Sequence, residues 1–132
     1  MNTQTQNQIN QLLAHVKSDG EILAAILFGS QVADSQENPN DVDICLVVSG
    51  DGRNSVRLSE KRLEYLKVFG LDIHIYQQLP LYIRQRVLRE GRVLYCQDED
   101  QLYEIAFMTI RELASFEHVY RYYLEEVADA RP

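Results

Sequence analysis

Three short apolar runs, each closed by a turn signal, constrain the fold of this chain more than any other feature. Residues 21–28 form a continuous apolar run of strand length that stops at Gly29-Ser30. Residues 42–48 repeat the pattern and are closed by Ser-Gly-Asp-Gly at 49–52. Residues 71–76 alternate strictly between apolar and polar, the mark of a half-buried strand. Helical periodicity fills the intervals. Ile9, Leu12, Leu13 and Val16 recur at helix spacing before Gly20. Val56, Leu58, Leu63, Leu66 and Val68 predict a helix between Arg53 and Phe69, stopped by Gly70. Pro80 opens another helix, carrying Leu81, Ile83, Val87 and Leu88, which ends at Gly91. Residues 92–96 read as a short edge strand. From Leu102 to Val127 apolar residues again follow helix spacing, with Ser115 as a candidate break. Residues 31–40 are polar, contain Pro39, and read as a short helical turn plus a loop.

This order of elements predicts one α/β (α+β) domain over residues 1–132, built on a small mixed β-sheet. The alternation at 71–76 predicts helices on one sheet face and an open second face. At 132 residues the chain has room for a single core. Its formal net charge of −7 disfavours a nucleic-acid phosphate backbone as partner. Cys45 and Cys96 lack CxxC spacing, so neither a disulfide framework nor a zinc site is expected. Cys45, inside an apolar run, reads as a buried thiol. No stretch approaches the roughly 20 apolar residues of a membrane span, and a cytoplasmic location is expected.

The chemistry gathers between residues 27 and 47. Gly29-Ser30 follows a strand and opens a turn; glycine lets another group approach the backbone closely, and free N–H groups there suit phosphate oxygens. Asp41 and Asp43 flank Val42 at a strand start, so by strand alternation their carboxylates share a face. Two close carboxylates repel unless a cation lies between them, and hard oxygen donors suit Mg²⁺. Asp72, in the alternating strand, joins them if that strand is the neighbour of the 42–48 strand. His74 shares the face of Asp72 and reads as a rim histidine with a possible place near an acceptor. His15 and His118 have no partners at metal-ligand spacing. Arg53, Lys61, Arg62 and Lys67 read as a solvated helix face, with triphosphate contacts as the alternative. The stripe Phe116, Tyr120, Tyr123 reads as core packing, with partner docking as the alternative.

Gly29-Ser30, ten residues, then Asp41-x-Asp43 on a strand resembles the GS-x10-DxD motif of the DNA polymerase β-type nucleotidyltransferase superfamily. A third carboxylate on the next strand, as at Asp72, is also that superfamily's pattern. Nearly the whole chain is similar to its minimal nucleotidyltransferase (MNT) domains, including residues 88–95 and a long C-terminal helix with Arg111, Phe116, Tyr120 and Tyr123. The resemblance implies that Gly29 and Ser30 hold a triphosphate and that Asp41 and Asp43 hold two Mg²⁺ ions. It further implies that Asp72 binds the catalytic metal and helps deprotonate the acceptor.

Chains of this size resemble the antitoxin of HEPN/MNT toxin–antitoxin pairs. That likeness implies transfer of AMP from ATP to a tyrosine hydroxyl of a HEPN ribonuclease toxin, with no direct nucleic acid and no membrane involved. The alternatives are a non-catalytic antitoxin module and a small-molecule nucleotidyltransferase of the antibiotic-modifying type. Gln31, Asp34 and Asn40 depart from the Arg, Gly and Ser common at those positions in the family.

Overall fold

The structure is a computed structural model and describes residues 3–29, 42–50 and 54–129. The expected turn over 31–40, together with Ser30 and Asp41, lies outside the described residues. The elements are α1 (Thr3–Lys17), β1 (Ile22–Phe28), β2 (Asp43–Val48), α2 (Ser55–Phe69), β3 (Asp72–Ile75), α3 (Leu81–Glu90), β4 (Arg92–Cys96) and α4 (Glu99–Asp129). A single 3₁₀ turn, Tyr76–Gln78, joins β3 to α3.

The sheet order is β3-β2-β1-β4. β1 is antiparallel to both β2 and β4, whereas β2 and β3 are parallel. Parallel neighbours need a crossover, and α2 supplies it. Its ends are well specified by sequence. The Asn54 side chain accepts the Arg57 backbone N–H at 3.1 Å, a standard N-cap. Gly70 closes the helix in the left-handed region at φ 64°, which turns the chain directly into β3.

The fold is the expected mixed sheet with a long C-terminal helix, but the helices are not confined to one face. Ile44, Leu46, Ile73 and Ile75 pack with Leu12 and Val16 of α1 and with Leu58 and Tyr65 of α2. On the other face Leu23, Ile26, Cys45 and Val47 pack with Val87 of α3, flanked by Leu102 and Ile105 of α4. Both central strands are buried on both sides: β1 throughout, and β2 everywhere but Asp43. On the edge strand β3, Asp72 and His74 remain partly exposed, as does Asp43 at the start of β2.

A second difference concerns Lys61, which is nearly fully buried rather than solvated. Asp19, in the turn between α1 and β1, accepts Lys61 Nζ at 2.9 Å and the Tyr65 hydroxyl at 2.8 Å through the same oxygen, Oδ2. Glu21 and Glu64 complete the shell around the ammonium group. Arg57 adds a bond to Glu21, so the turn is locked to α2. Arg62 donates Nε–H to the Ile73 carbonyl at 2.8 Å, on an edge strand.

A third difference is α4. At 31 residues it is about 46 Å long, far longer than the sheet it leans on. It runs uninterrupted through Ser115. Thr109 is its one fully buried residue and bonds the Tyr76 hydroxyl. Beyond it the helix projects from the domain. Phe116, Tyr120 and Tyr123 are 51%, 54% and 61% exposed, so they are not core residues of this chain.

The buried Asp19–Lys61 pair yields a stability test. Breaking a buried pair by removing one partner costs about 3–5 kcal/mol. Removing Asp19 takes the nearest counter-charge from Lys61 and the acceptor from the Tyr65 hydroxyl, while Glu21 and Glu64 still face the ammonium and hold the loss to the low end. Asp19→Ala is expected to lower the unfolding free energy by about 3 kcal/mol in urea titration, and adding Lys61→Met should recover most of that loss. A loss below about 1 kcal/mol for Asp19→Ala would mean the pair contributes little to the fold.

Candidate functional site

Strand register brings the site together. In the parallel β2–β3 pair, Asp43 lies opposite Asp72 and Cys45 lies opposite His74. The Asp72 backbone N–H reaches the Val42 carbonyl at 3.3 Å, which carries the pairing to the very start of both strands. Residues two apart on a strand share a face, so Asp43, Asp72 and His74 project together. They sit on the face that α3 and α4 cover farther along the sheet. Here the cover has ended: the side chains of Asp43 and His74 are each 26% exposed, while Cys45 is fully buried.

The three donor groups converge. His74 Nε2 lies 3.3 Å from Asp43 Oδ1 and 3.3 Å from Asp72 Oδ1. One ligand atom from each of the three falls within 4.8 Å of the others. The His74 ring stands edge-on to Phe28, with centroids 5.5 Å apart and planes at 69°, which fixes its tilt. Among the described residues, the ion pairs of Asp43 and Asp72 run to His74 alone.

Burial raises the Asp43 carboxyl to a pKa of about 6, helped by the shared hydrogen bond and like charge of Asp72 and opposed by His74. Such a pair is electrostatically incomplete at neutral pH. A divalent cation between the carboxylates would relieve it, so the donor set fits a hard metal ion. The neighbouring Cys45 thiol is pushed well up by burial and stays protonated, so it does not compete as a thiolate ligand.

Gly29 forms the near wall. Its φ of 88° lies in the left-handed region, and a Cβ added there would overlap Asp43 Oδ2. The backbone conformation favours glycine, and any side chain there would displace the Asp43 carboxylate.

Of the residues singled out from sequence, Gly29, Asp43 and Asp72 lie side by side, while Ser30 and Asp41 fall outside the described residues. Lys61 and Arg62 are engaged elsewhere, with Asp19 and with the Ile73 carbonyl. His74 is much more intimate with the carboxylates than a rim histidine. Its position was visible in the i+2 spacing from Asp72, but its aim depends on the register and on Phe28.

Comparisons with known proteins converge on one family. Residues 7–100 match the profile of the family described as "Polymerase beta, Nucleotidyltransferase". MJ1547 of Methanocaldococcus jannaschii, named as an inferred protein adenylyltransferase, is 32% identical over 80 residues. That match covers 57% of this chain and 57% of the relative, so the shared part is little more than half of either. A chain from a toxin–antitoxin complex crystallised with AMP-PNP superposes with a TM-score of 0.63 at 19% identity, covering 92% of this chain and 97% of its own. A chain from a complex of tri-AMPylated Shewanella oneidensis HEPN toxin with MNT antitoxin gives 0.62 at 16% identity, covering 94% and 98%. At these identities the superpositions establish the fold.

The raised Asp43 pKa has a defined consequence for stability. The folded state prefers the neutral carboxyl, so this group's contribution is complete below its unfolded pKa near 4 and is lost as pH rises through about 6. Asp43→Asn is therefore expected to stabilise the metal-free protein at pH 7.5 by up to about 3 kcal/mol and to be nearly neutral at pH 4. Urea unfolding at both pH values checks this; an equal effect at the two would contradict it.

Proposed function

Because this chain belongs to the polymerase beta nucleotidyltransferase family, we propose that it transfers AMP from ATP to a tyrosine hydroxyl of a HEPN-type toxin and so acts as that toxin's antitoxin. The observation that carries the reading is the in-register pairing of Asp43 with Asp72 beside Gly29. Structural relatives found in toxin–antitoxin complexes, one with AMP-PNP and one with an AMPylated HEPN toxin, support the choice of donor and partner.

In this reading Gly29 and Ser30 receive the triphosphate. Gly29 has no side chain to block its backbone, and its conformation turns the chain at the carboxylate edge. Asp41, Asp43 and Asp72 hold two Mg²⁺ ions. When bound, such ions neutralise phosphate charge and acidify an acceptor hydroxyl. Asp72, with its side chain 42% exposed, is the more open of the two described carboxylates and takes the proton of an incoming acceptor. Asp43 is the more enclosed of the two, with its side chain 26% exposed, and serves as the fixed ligand.

The acceptor is protein rather than nucleic acid. A net charge of −7 repels a phosphate backbone. The projecting part of α4 offers Phe116, Tyr120 and Tyr123 as an exposed apolar face of the kind that docks a protein partner. The same exposed face also supports a second reading, in which binding alone masks the toxin.

A labelling experiment separates the two. The protein is incubated with a HEPN-type toxin and α-labelled ATP, with Mg²⁺ and separately with Mn²⁺. Transfer of label to toxin tyrosine is expected, and Asp41→Asn with Asp43→Asn should reduce it by more than about 100-fold. Toxin neutralisation that persists in that variant without label would establish masking instead.

A further inference from the structure

The nitrogen among the carboxylates is the feature that the nucleotidyltransfer reading leaves unused. Asp43 and Asp72 alone would make an all-oxygen pair. His74 places an imidazole Nε2 at 3.3 Å from an oxygen of each. These separations carry geometric content. Two ligands at adjacent corners of an octahedron, each about 2.1 Å from the metal, lie about 3.0 Å apart. Both His74–carboxylate separations are near that spacing, and all three donor atoms fall within 4.8 Å of one another, close enough to serve one ion.

The ring is held there rather than drifting through. β3 ties its backbone opposite Cys45, and the Phe28 ring packs edge-on against it. Its side chain is only 26% exposed, so much of its rotamer freedom is already lost. A ligand ordered in advance binds with less entropic cost than one recruited from solvent.

We propose that His74 is a direct ligand of the divalent metal at Asp43 and Asp72, and that its nitrogen shifts the preference of that site from Mg²⁺ toward first-row transition cations such as Mn²⁺. The proposal rests on the reading of Asp43 and Asp72 as metal carboxylates and adds a third donor to them. The chemical reason is donor character. Mg²⁺ is small, hard and oxygen-seeking, and keeps water in preference to nitrogen. Manganese, iron and cobalt accept imidazole readily while still binding carboxylates and phosphates. Asp43, Asp72 and His74, with Asp41 as a further carboxylate of the proposed set, would leave positions for water and substrate oxygens. The imidazole Nε2 hydrogen-bonds Asp43 and lies within ion-pair distance of Asp72, so the nitrogen that would bind the ion already faces both carboxylates.

The test uses the full chain with Mn²⁺ as the probe and reads binding rather than turnover. Pulsed electron paramagnetic resonance of the Mn²⁺-loaded protein is expected to show coupling to one directly bound ¹⁴N. That coupling should convert to the ¹⁵N pattern when only histidine is ¹⁵N-labelled, a control that requires no variant. Titration should further show the Mn²⁺-to-Mg²⁺ affinity ratio falling at least about fivefold in His74→Ala. Mn²⁺ bound in an Asp43-dependent manner with no histidine nitrogen coupling would overturn the role of His74 while leaving the carboxylate site standing. Mn²⁺ bound equally well by Asp43→Asn, or not bound at all, would overturn the metal reading of the site and the His74 proposal with it.

Discussion

The structure depends on the register of one parallel strand pair. Asp43 opposite Asp72 is what turns two surface carboxylates into a site. Because side chains alternate along a strand, a slip of one residue would set Asp43 beside Ile73 and turn Asp72 toward the core. The register is guarded on that core side. Ile44, Leu46, Ile73 and Ile75 are all essentially buried against α1 and α2, so any slip would expose them. Apolar burial on one face thereby fixes polar geometry on the other, and the unfavourable proximity of two carboxylates is held by packing that has no chemistry of its own.

The rest of the chain serves that arrangement at increasing distance. α2 carries the crossover that makes β2 and β3 parallel, and Gly70 stops it where β3 must begin. The Asp19–Lys61–Tyr65 network anchors α2 to the turn before β1. α3 and the first turns of α4 pack on the second face with Cys45 and Val47, in a cluster that does not include Asp43. Among the described residues, Asp43, Asp72 and His74 stay partly exposed on a face that is packed elsewhere. α4 continues away from the domain and carries an aromatic surface that the chain itself does not bury.

Much of this could be read from the sequence. The i+2 rule placed His74 with Asp72, and the Gly-Ser spacing to Asp43 pointed to phosphate chemistry before any coordinates. The expected open second face extends to the whole sheet an alternation that belongs to β3 alone. β3 is an edge strand and alternates for that reason. The continuous apolar runs of β1 and β2 already carried the signature of strands buried on both faces. Lys61 looked like one charge among many, since only tertiary contact with Asp19 reveals why it can be buried. The stripe of Phe116, Tyr120 and Tyr123 has helix spacing whether it meets its own core or another molecule, so periodicity alone could not separate the two. The aim of the His74 ring was out of reach for the same reason, because it depends on Phe28 across the sheet.

The proposed role of the Asp43–Asp72 pair is to hold a cation beside a triphosphate at Gly29. Crystals grown with Mn²⁺ and a non-hydrolysable ATP analogue test it most directly through the anomalous signal of the metal. The account predicts an anomalous peak about 2.0–2.4 Å from carboxylate oxygens of both Asp43 and Asp72, with the triphosphate beside Gly29. A nucleotide bound elsewhere on the molecule, or bound at this edge with no metal peak between the two carboxylates, would contradict it.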